Sequence, residues 1–139
     1  MTNDELAALH KACFISPRPW SAAEFDSLLQ SPHVFIHIRD GGFIMGRLAG
    51  PEVELLTLAV AAELRRHGLA RQLLAEFEQT AFNRQATEAF LEVADDNIAA
   101  IQLYRSAGYK DAGFRKDYYQ SPNGARSAAI VMKRLLSPT

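Results

Sequence analysis

The residues of this chain whose types and spacing could do chemistry begin at a basic turn. Arg65-Arg66-His67-Gly68-Leu69-Ala70 follows an apolar run, Val53, Leu55, Leu56, Leu58 and Val60, that reads as a buried strand. A helix starts near Gly68 or Leu69, with Leu69, Leu73, Leu74, Phe77 and Ala81 as its apolar stripe. The first amides of a helix have no partner inside it, and the macrodipole reinforces their partial positive charge. With two arginines and a glycine that lets a ligand approach the backbone, the turn suits a phosphate or pyrophosphate. An ordinary exposed basic turn is the rival reading.

Farther along stand Glu92, Asn97 and Tyr104. Taken singly, each has a structural explanation. Glu92 could be a solvated charge on a sheet face. Asn97 is a good helix cap. Tyr104 shares a helical face with Ala100, Ile101 and Ala107 and reads alone as core packing. The histidines do not make a metal site. His33 and His37 share a strand face but stand ~13 Å apart at strand rise, too far to share one ion. His10, His67 and Cys13 show no ligand spacing, and Cys13 on an apolar helix face reads as a buried thiol. No Gly-x-Ser-x-Gly elbow, P-loop lysine or Gly-x-Gly-x-x-Gly is present.

The elements that must position these groups can be read in order. Thr2 to Glu5 is a capping box, with Met1 and Leu6 as its staple, for a first helix over Asp4–Ala12 carrying Leu6, Leu9 and Cys13 on one face. Pro17 and Pro19 interrupt it. Ser21 and Glu24 form a second capping box, Trp20 packs on Phe25, and this helix runs to about Gln30 before Pro32. Val34–Ile38, Phe43–Ala49 and the strand from Val53 form an antiparallel meander through turns at Asp40-Gly41-Gly42 and Gly50-Pro51. The helix from Gly68 ends near Phe82. Glu88–Val93 is a strand with Ala89, Leu91 and Val93 on one face and Glu88, Phe90 and Glu92 on the other. Asp95-Asp96-Asn97 caps a helix from Ile98 to Ala107 that Gly108 ends. Tyr109–Tyr118 and Ser127–Leu135 pair around Ser121-Pro122-Asn123-Gly124. Strands precede, separate and follow helices, so the expected class is α/β or α+β with a mixed sheet.

A chain of 139 residues fits one domain over 1–139, large enough for a real core. A formal charge of −1 argues against a general nucleic-acid binder, so no direct nucleic-acid partner is expected. The single cysteine excludes an internal disulfide and fits a reducing compartment. No apolar run approaches the ~20 residues that span a bilayer, and the N-terminus has no secretory pattern. No membrane partner and a cytoplasmic location are the expectations.

Arg65-x-x-Gly68-x-Ala70 matches the Arg/Gln-x-x-Gly-x-Gly/Ala signature of the GNAT N-acetyltransferases, whose loop holds the pyrophosphate of acetyl-CoA. The run from Leu91-Glu92-Val93 through Asn97, Ala100-Ile101 and Leu103-Tyr104 to Gly108-Tyr109 resembles the same family. Within it the chain is most similar to the RimI type, which acetylates the N-terminal alanine of a small-subunit ribosomal protein. Arg18-Pro19-Trp20-Ser21, Arg115-Lys116-Asp117-Tyr118-Tyr119 and Ala128-Ala129-Ile130-Val131-Met132 agree with that branch. The resemblance covers Pro17–Met132. Ala94 replaces the family's arginine after Leu-Glu-Val, Thr57 replaces an asparagine, and the first strand of most relatives is short or missing.

The resemblance implies a GNAT fold: a mixed, mostly antiparallel central sheet with flanking helices and CoA held between two splayed central strands. It implies acetyl-CoA as cosubstrate, no metal, no covalent enzyme intermediate, and a protein or peptide N-terminus as acceptor. An α-amine has a reference pKa near ~8 and a lysine near ~10.4, so an N-terminal acceptor needs only modest help from a base. Glu92 would accept the proton, through water, and Tyr104 would donate one to the departing sulfur. The Leu58 amide would hold the thioester carbonyl, and Leu58, Ala59 and Val60 would pair with pantetheine. Arg66, His67, Gly68, Leu69, Ala70 and Arg71 would wrap the pyrophosphate, and Asn97 would bind the pantetheine or phosphate region. Trp20 could line the acceptor site besides acting as a staple, and Tyr118 and Tyr119 could be strand surface or a wall of a peptide groove. Two other functions stay open: a GNAT enzyme acting on a lysine side chain or small amine, and a non-catalytic acetyl-CoA-binding regulatory module.

Overall fold

The computed structural model describes residues 1–13, 19–120 and 126–137, with side chains described outside 117–120 and 126–127. Pro17, Arg18 and the turn expected at Ser121–Gly124 lie outside the described residues, as do the side chains of Tyr118 and Tyr119. Helix α1 (Asn3–Cys13) and helix α2 (Ala22–Leu29) come first. Both capping boxes form. Thr2 N–H donates to Glu5 Oε1 at 2.9 Å while Glu5 N–H donates to Thr2 Oγ1 at 3.1 Å. Ser21 and Glu24 repeat the exchange at 3.1 and 3.2 Å. Each box satisfies two amides that a helix start otherwise leaves open.

Strands β1 (Val34–Arg39), β2 (Gly42–Ala49) and β3 (Glu52–Val60) form the expected meander. Helix α3 (Leu69–Asn83) then crosses to β4 (Glu88–Ala94), which runs parallel to β3. Helix α4 (Ile98–Ser106) leads to β5 (Lys110–Gln120) and β6 (Arg126–Leu135). The sheet order is β1-β2-β3-β4-β6-β5, and every described pairing except β3 with β4 is antiparallel. A mixed, mostly antiparallel sheet between helices is what the sequence led us to expect. Among the described residues no helix is long and apolar enough to cross a membrane.

Two apolar layers flank the sheet. On one face Leu73, Leu74, Phe77 and Ala81 of α3 and Ile101 and Tyr104 of α4 pack on Ile44, Val53, Leu55, Leu91 and Val93. On the other, Leu6 and Phe25 from the first two helices cover Phe43, Met45 and Ala59. Burying each large side chain of this kind contributes roughly 1.5–3 kcal/mol. Helix α3 comes close to β2 because Gly46 has no side chain. A Cβ there would stand 2.6 Å from Phe77 Cε2 and 2.7 Å from Phe35 Cζ.

Strand β3 departs from simple alternation, and this shapes the site. Its register with β2 runs Met45↔Thr57 and then Gly46↔Leu55, leaving Leu56 as the extra residue of a bulge. Before the bulge Val53 and Leu55 face α3; after it Leu58 and Val60 do, while Ala59 joins the opposite layer. One inserted residue has exchanged the two faces. Between β3 and α3 the structure adds a 3-10 turn, Ala62–Leu64, where the sequence suggested only a tight turn.

Candidate active site

Strands β3 and β4 pair only through Glu52–Glu54 with Glu88–Phe90. Beyond that point β3 stays with β2 and β4 stays with β6, so the sheet opens like a fork. A cavity of about 80 Å³ lies in the opening. Four consecutive β3 residues, Leu55, Leu56, Thr57 and Leu58, line it. Side chains of a strand alternate between faces, so four in a row border one cavity only where the backbone itself does. Ala59 and Val60, two further predicted cofactor contacts, continue β3 beyond the cavity and are buried.

Glu92 and Tyr104 meet at this cavity, from β4 and α4 respectively. Glu92 is half-buried, and its carboxylate lies 3.2 Å from the Arg115 guanidinium of β5. Arg115 reaches it over β6, where Val131 faces Glu92 and Ala129 faces Arg115 in register. Tyr104 is buried, its ring edge-on to Tyr109 at 5.8 Å. Burial pushes the Tyr104 hydroxyl above its ordinary pKa, because a phenolate would be poorly solvated there. The group therefore stays protonated at neutral pH. Asn97 also borders the cavity and caps α4, accepting from Ala100 N–H at 3.3 Å. Both readings of Asn97 from the sequence are compatible with that position.

The basic turn lies at the start of α3. Gly68 is the N-cap with φ +84, and Arg66 also has a positive φ, +66. The first intrahelical bond runs from Gln72 N–H to Gly68 C=O, so the amides of Leu69, Ala70 and Arg71 precede it. Arg66 and His67 are exposed beside them. Arg71 donates to Ser106 Oγ at 2.6 Å and ties this end of α3 to the end of α4. Arg65 is exposed too, but its side chain folds back onto the end of β3. Its Nε donates to Val60 C=O at 3.1 Å and its Nη2 lies 3.4 Å from Cys13 Sγ. Of these two surface arginines, the first thus braces the strand end. Cys13 is half-buried, and Sγ also approaches Val60 C=O at 3.4 Å.

The sequence reading missed His10. It borders the cavity and is 1% exposed. Trp20 N–H donates to His10 Nδ1 at 3.0 Å, so Nε2 carries the hydrogen and donates it to Thr57 Oγ1, also at 3.0 Å. The ring stacks on Trp20 at 4.9 Å and meets Phe25 edge-on at 5.6 Å. The available signal was its place four residues after Leu6, on the face that α1 buries. Trp20 itself packs on Phe25 as expected, at 5.4 Å. It also borders a wider, open hollow of about 410 Å³ with Ala7, Ala8 and Lys11, which contains neither Glu92 nor Tyr104. His37 bonds Thr80 Oγ1 at 2.7 Å, linking β1 to α3. Among the described residues no three metal-ligating side chains cluster.

Known proteins resemble this chain in sequence and in fold. The acetyltransferase (GNAT) family matches residues 3–109. The N-alpha-acetyltransferase RimI of Mycobacterium tuberculosis is 34% identical over 123 residues, covering 82% of this chain and 76% of the relative. The ribosomal protein bS18-alanine N-acetyltransferase of Escherichia coli is 32% identical over 135 residues, covering 94% and 90%. A crystal structure of the ribosomal-protein alanine N-acetyltransferase from Escherichia coli superimposes with a TM-score of 0.80 at 28% identity, over 96% of this chain and 86% of that one. The family match, the sequence likeness and the shared fold lead to one conclusion: this chain belongs to the acetyltransferase (GNAT) family, and it is an acyltransferase similar to the RimI enzymes.

Proposed function

We propose that residues 1–139 act as one N-acetyltransferase domain that moves the acetyl group of acetyl-CoA directly to the α-amine of a protein N-terminus. The acceptor we propose is the alanine N-terminus of a small-subunit ribosomal protein, in line with the names of the relatives at 32–34% identity. The observation that carries the reading is the convergence of Glu92 and Tyr104, from different elements, on the cavity where β3 and β4 part.

The chemistry follows from the positions. Glu92 takes a proton from the incoming ammonium through water, leaving a neutral amine to attack the thioester carbonyl. The Leu58 amide, just past the bulge, stabilises the oxyanion that forms. The tetrahedral intermediate then collapses, the carbon–sulfur bond breaks, the buried Tyr104 hydroxyl protonates the sulfur, and the second proton of the amine nitrogen leaves through water and restores the tyrosine hydroxyl. Tyrosine is protonated at neutral pH, the state from which a donor acts. Pantetheine lies along Leu58, Ala59 and Val60 in the open side of the fork. The pyrophosphate sits on the amides of Leu69, Ala70 and Arg71, with Arg66, His67 and Gly68 around it, and Asn97 contacts the pantetheine or phosphate region.

Glu92→Gln and Tyr104→Phe are expected to lose most turnover, about a hundredfold each, while binding CoA as the unchanged protein does. Full activity in both variants would remove these assignments. CoA binding without transfer to any amine, unaffected by Glu92→Gln, would instead mark a non-catalytic regulatory module.

A further inference from the structure

We infer that His10 is a positioning residue for the transfer: through Thr57 it fixes the bulged segment of β3 whose amide receives the thioester carbonyl. The inference rests on the proposed acetyl transfer and adds a residue to it. A bulge has one residue without a partner in the ladder, so its backbone is held less firmly than the strand around it. Here Leu56 is that residue, and Thr57 follows it directly. The Thr57 side chain, 6% exposed, is anchored by His10 Nε2 across 47 positions of sequence. His10 is in turn fixed at its other nitrogen by the Trp20 amide and clamped between aromatic rings. The chain of contacts therefore runs from Trp20, through a rigid imidazole, to the residue before Leu58.

The same geometry separates His10 from the proton chemistry. Its Nδ1 already accepts a hydrogen bond and its Nε2 carries a hydrogen, so no lone pair remains to take a proton from an amine without breaking the Trp20 contact. Its place beside Glu92 in the cavity lining is thus a structural one. The buried Thr57 hydroxyl thus has a definite partner: it accepts from the imidazole.

The test uses Thr57→Val, which keeps the shape and removes the acceptor, with Thr57→Ser as the conservative variant. Two readouts are taken. In steady-state transfer to a peptide beginning with alanine, Thr57→Val is expected to lower kcat about tenfold with KM for acetyl-CoA within about twofold, because misplacing an oxyanion donor costs the transition state more than the ground state. Thr57→Ser should restore most of kcat. His10→Phe combined with Thr57→Val should be no worse than His10→Phe alone, since both break the His10–Thr57 bond and only His10→Phe also removes the Trp20 contact. In the infrared spectrum of carbonyl-labelled acetyl-CoA bound to the protein, the thioester stretch should move toward its free value in Thr57→Val and not in Thr57→Ser. An unmoved stretch, or an unchanged kcat in an active enzyme, overturns the positioning role. The infrared arm decides it even if the wild type binds acetyl-CoA and transfers to no amine, an outcome that would refute the proposed function by itself.

Discussion

Replacing His10 by glutamine removes one titrating proton from the centre of the molecule while keeping a neutral donor and acceptor. Loss of solvation pushes the His10 pKa from 6.5 down to about 4, with the Glu24 carboxylate pulling the other way. The folded value lies below the unfolded one, so the unfolded chain takes up the proton first as pH falls. Above the unfolded pKa neither state is protonated and the full stability is present. Below it stability declines, until the folded state also protonates near 4. The whole gap corresponds to about 3 kcal/mol, and the part lying between about pH 7.5 and about pH 5 to about 2 kcal/mol. Urea unfolding of both proteins at those two pH values measures it, because His33, His37, His67 and every carboxylate are common to the pair. The wild type should lose about 2 kcal/mol more than His10→Gln on acidification. Equal losses would refute the argument that burial holds this imidazole neutral, and with it the assigned tautomer.

Two other substitutions test the scaffold around the site. Gly46→Ala should destabilise the fold by about 1–3 kcal/mol, read as a fall in Tm, because the added methyl meets the rings of Phe35 and Phe77, which already stack on each other. Gly68→Ala should raise the KM for acetyl-CoA with a small effect on Tm, about 1 kcal/mol of backbone strain. Its φ is +84, yet a Cβ there meets nothing within 4 Å, so any loss of binding comes from the turn's shape and the approach of the ligand. An unchanged KM would move the pyrophosphate away from this turn.

Much of the frame was legible in the sequence because local chemistry set it. The two capping boxes, the turns at Gly41 and Gly50 and the stripe along α3 each depend on residues within a few positions, and these form as read. The pairing of β6 between β4 and β5 was not legible beyond the existence of a strand pair, since strand order is set by long-range packing. The bulge in β3 had a visible trace: the apolar positions shift phase at Leu55-Leu56. A phase shift alone does not distinguish a bulge from a strand buried on both faces. Arg65 and Arg66 look equivalent in sequence, and both are exposed, but the 3-10 turn before them lets Arg65 fold back onto Val60 C=O. His10 escaped notice because its partners, Trp20 and Thr57, lie ten and forty-seven residues away. Glu92 and Tyr104 could be singled out only by resemblance to a family motif; that they border one cavity depends on where two strands diverge.

The most direct measurement of the central claim is thiol release from acetyl-CoA with a short peptide beginning Ala-Arg. It is run beside the same peptide with its N-terminus blocked and a lysine peptide with its α-amine blocked. Release with the free N-terminus alone is the predicted result, with the acetyl group recovered on the α-amine. Release with the lysine peptide, or only with small amines, would contradict N-terminal transfer while leaving the chain an acetyltransferase of the same family.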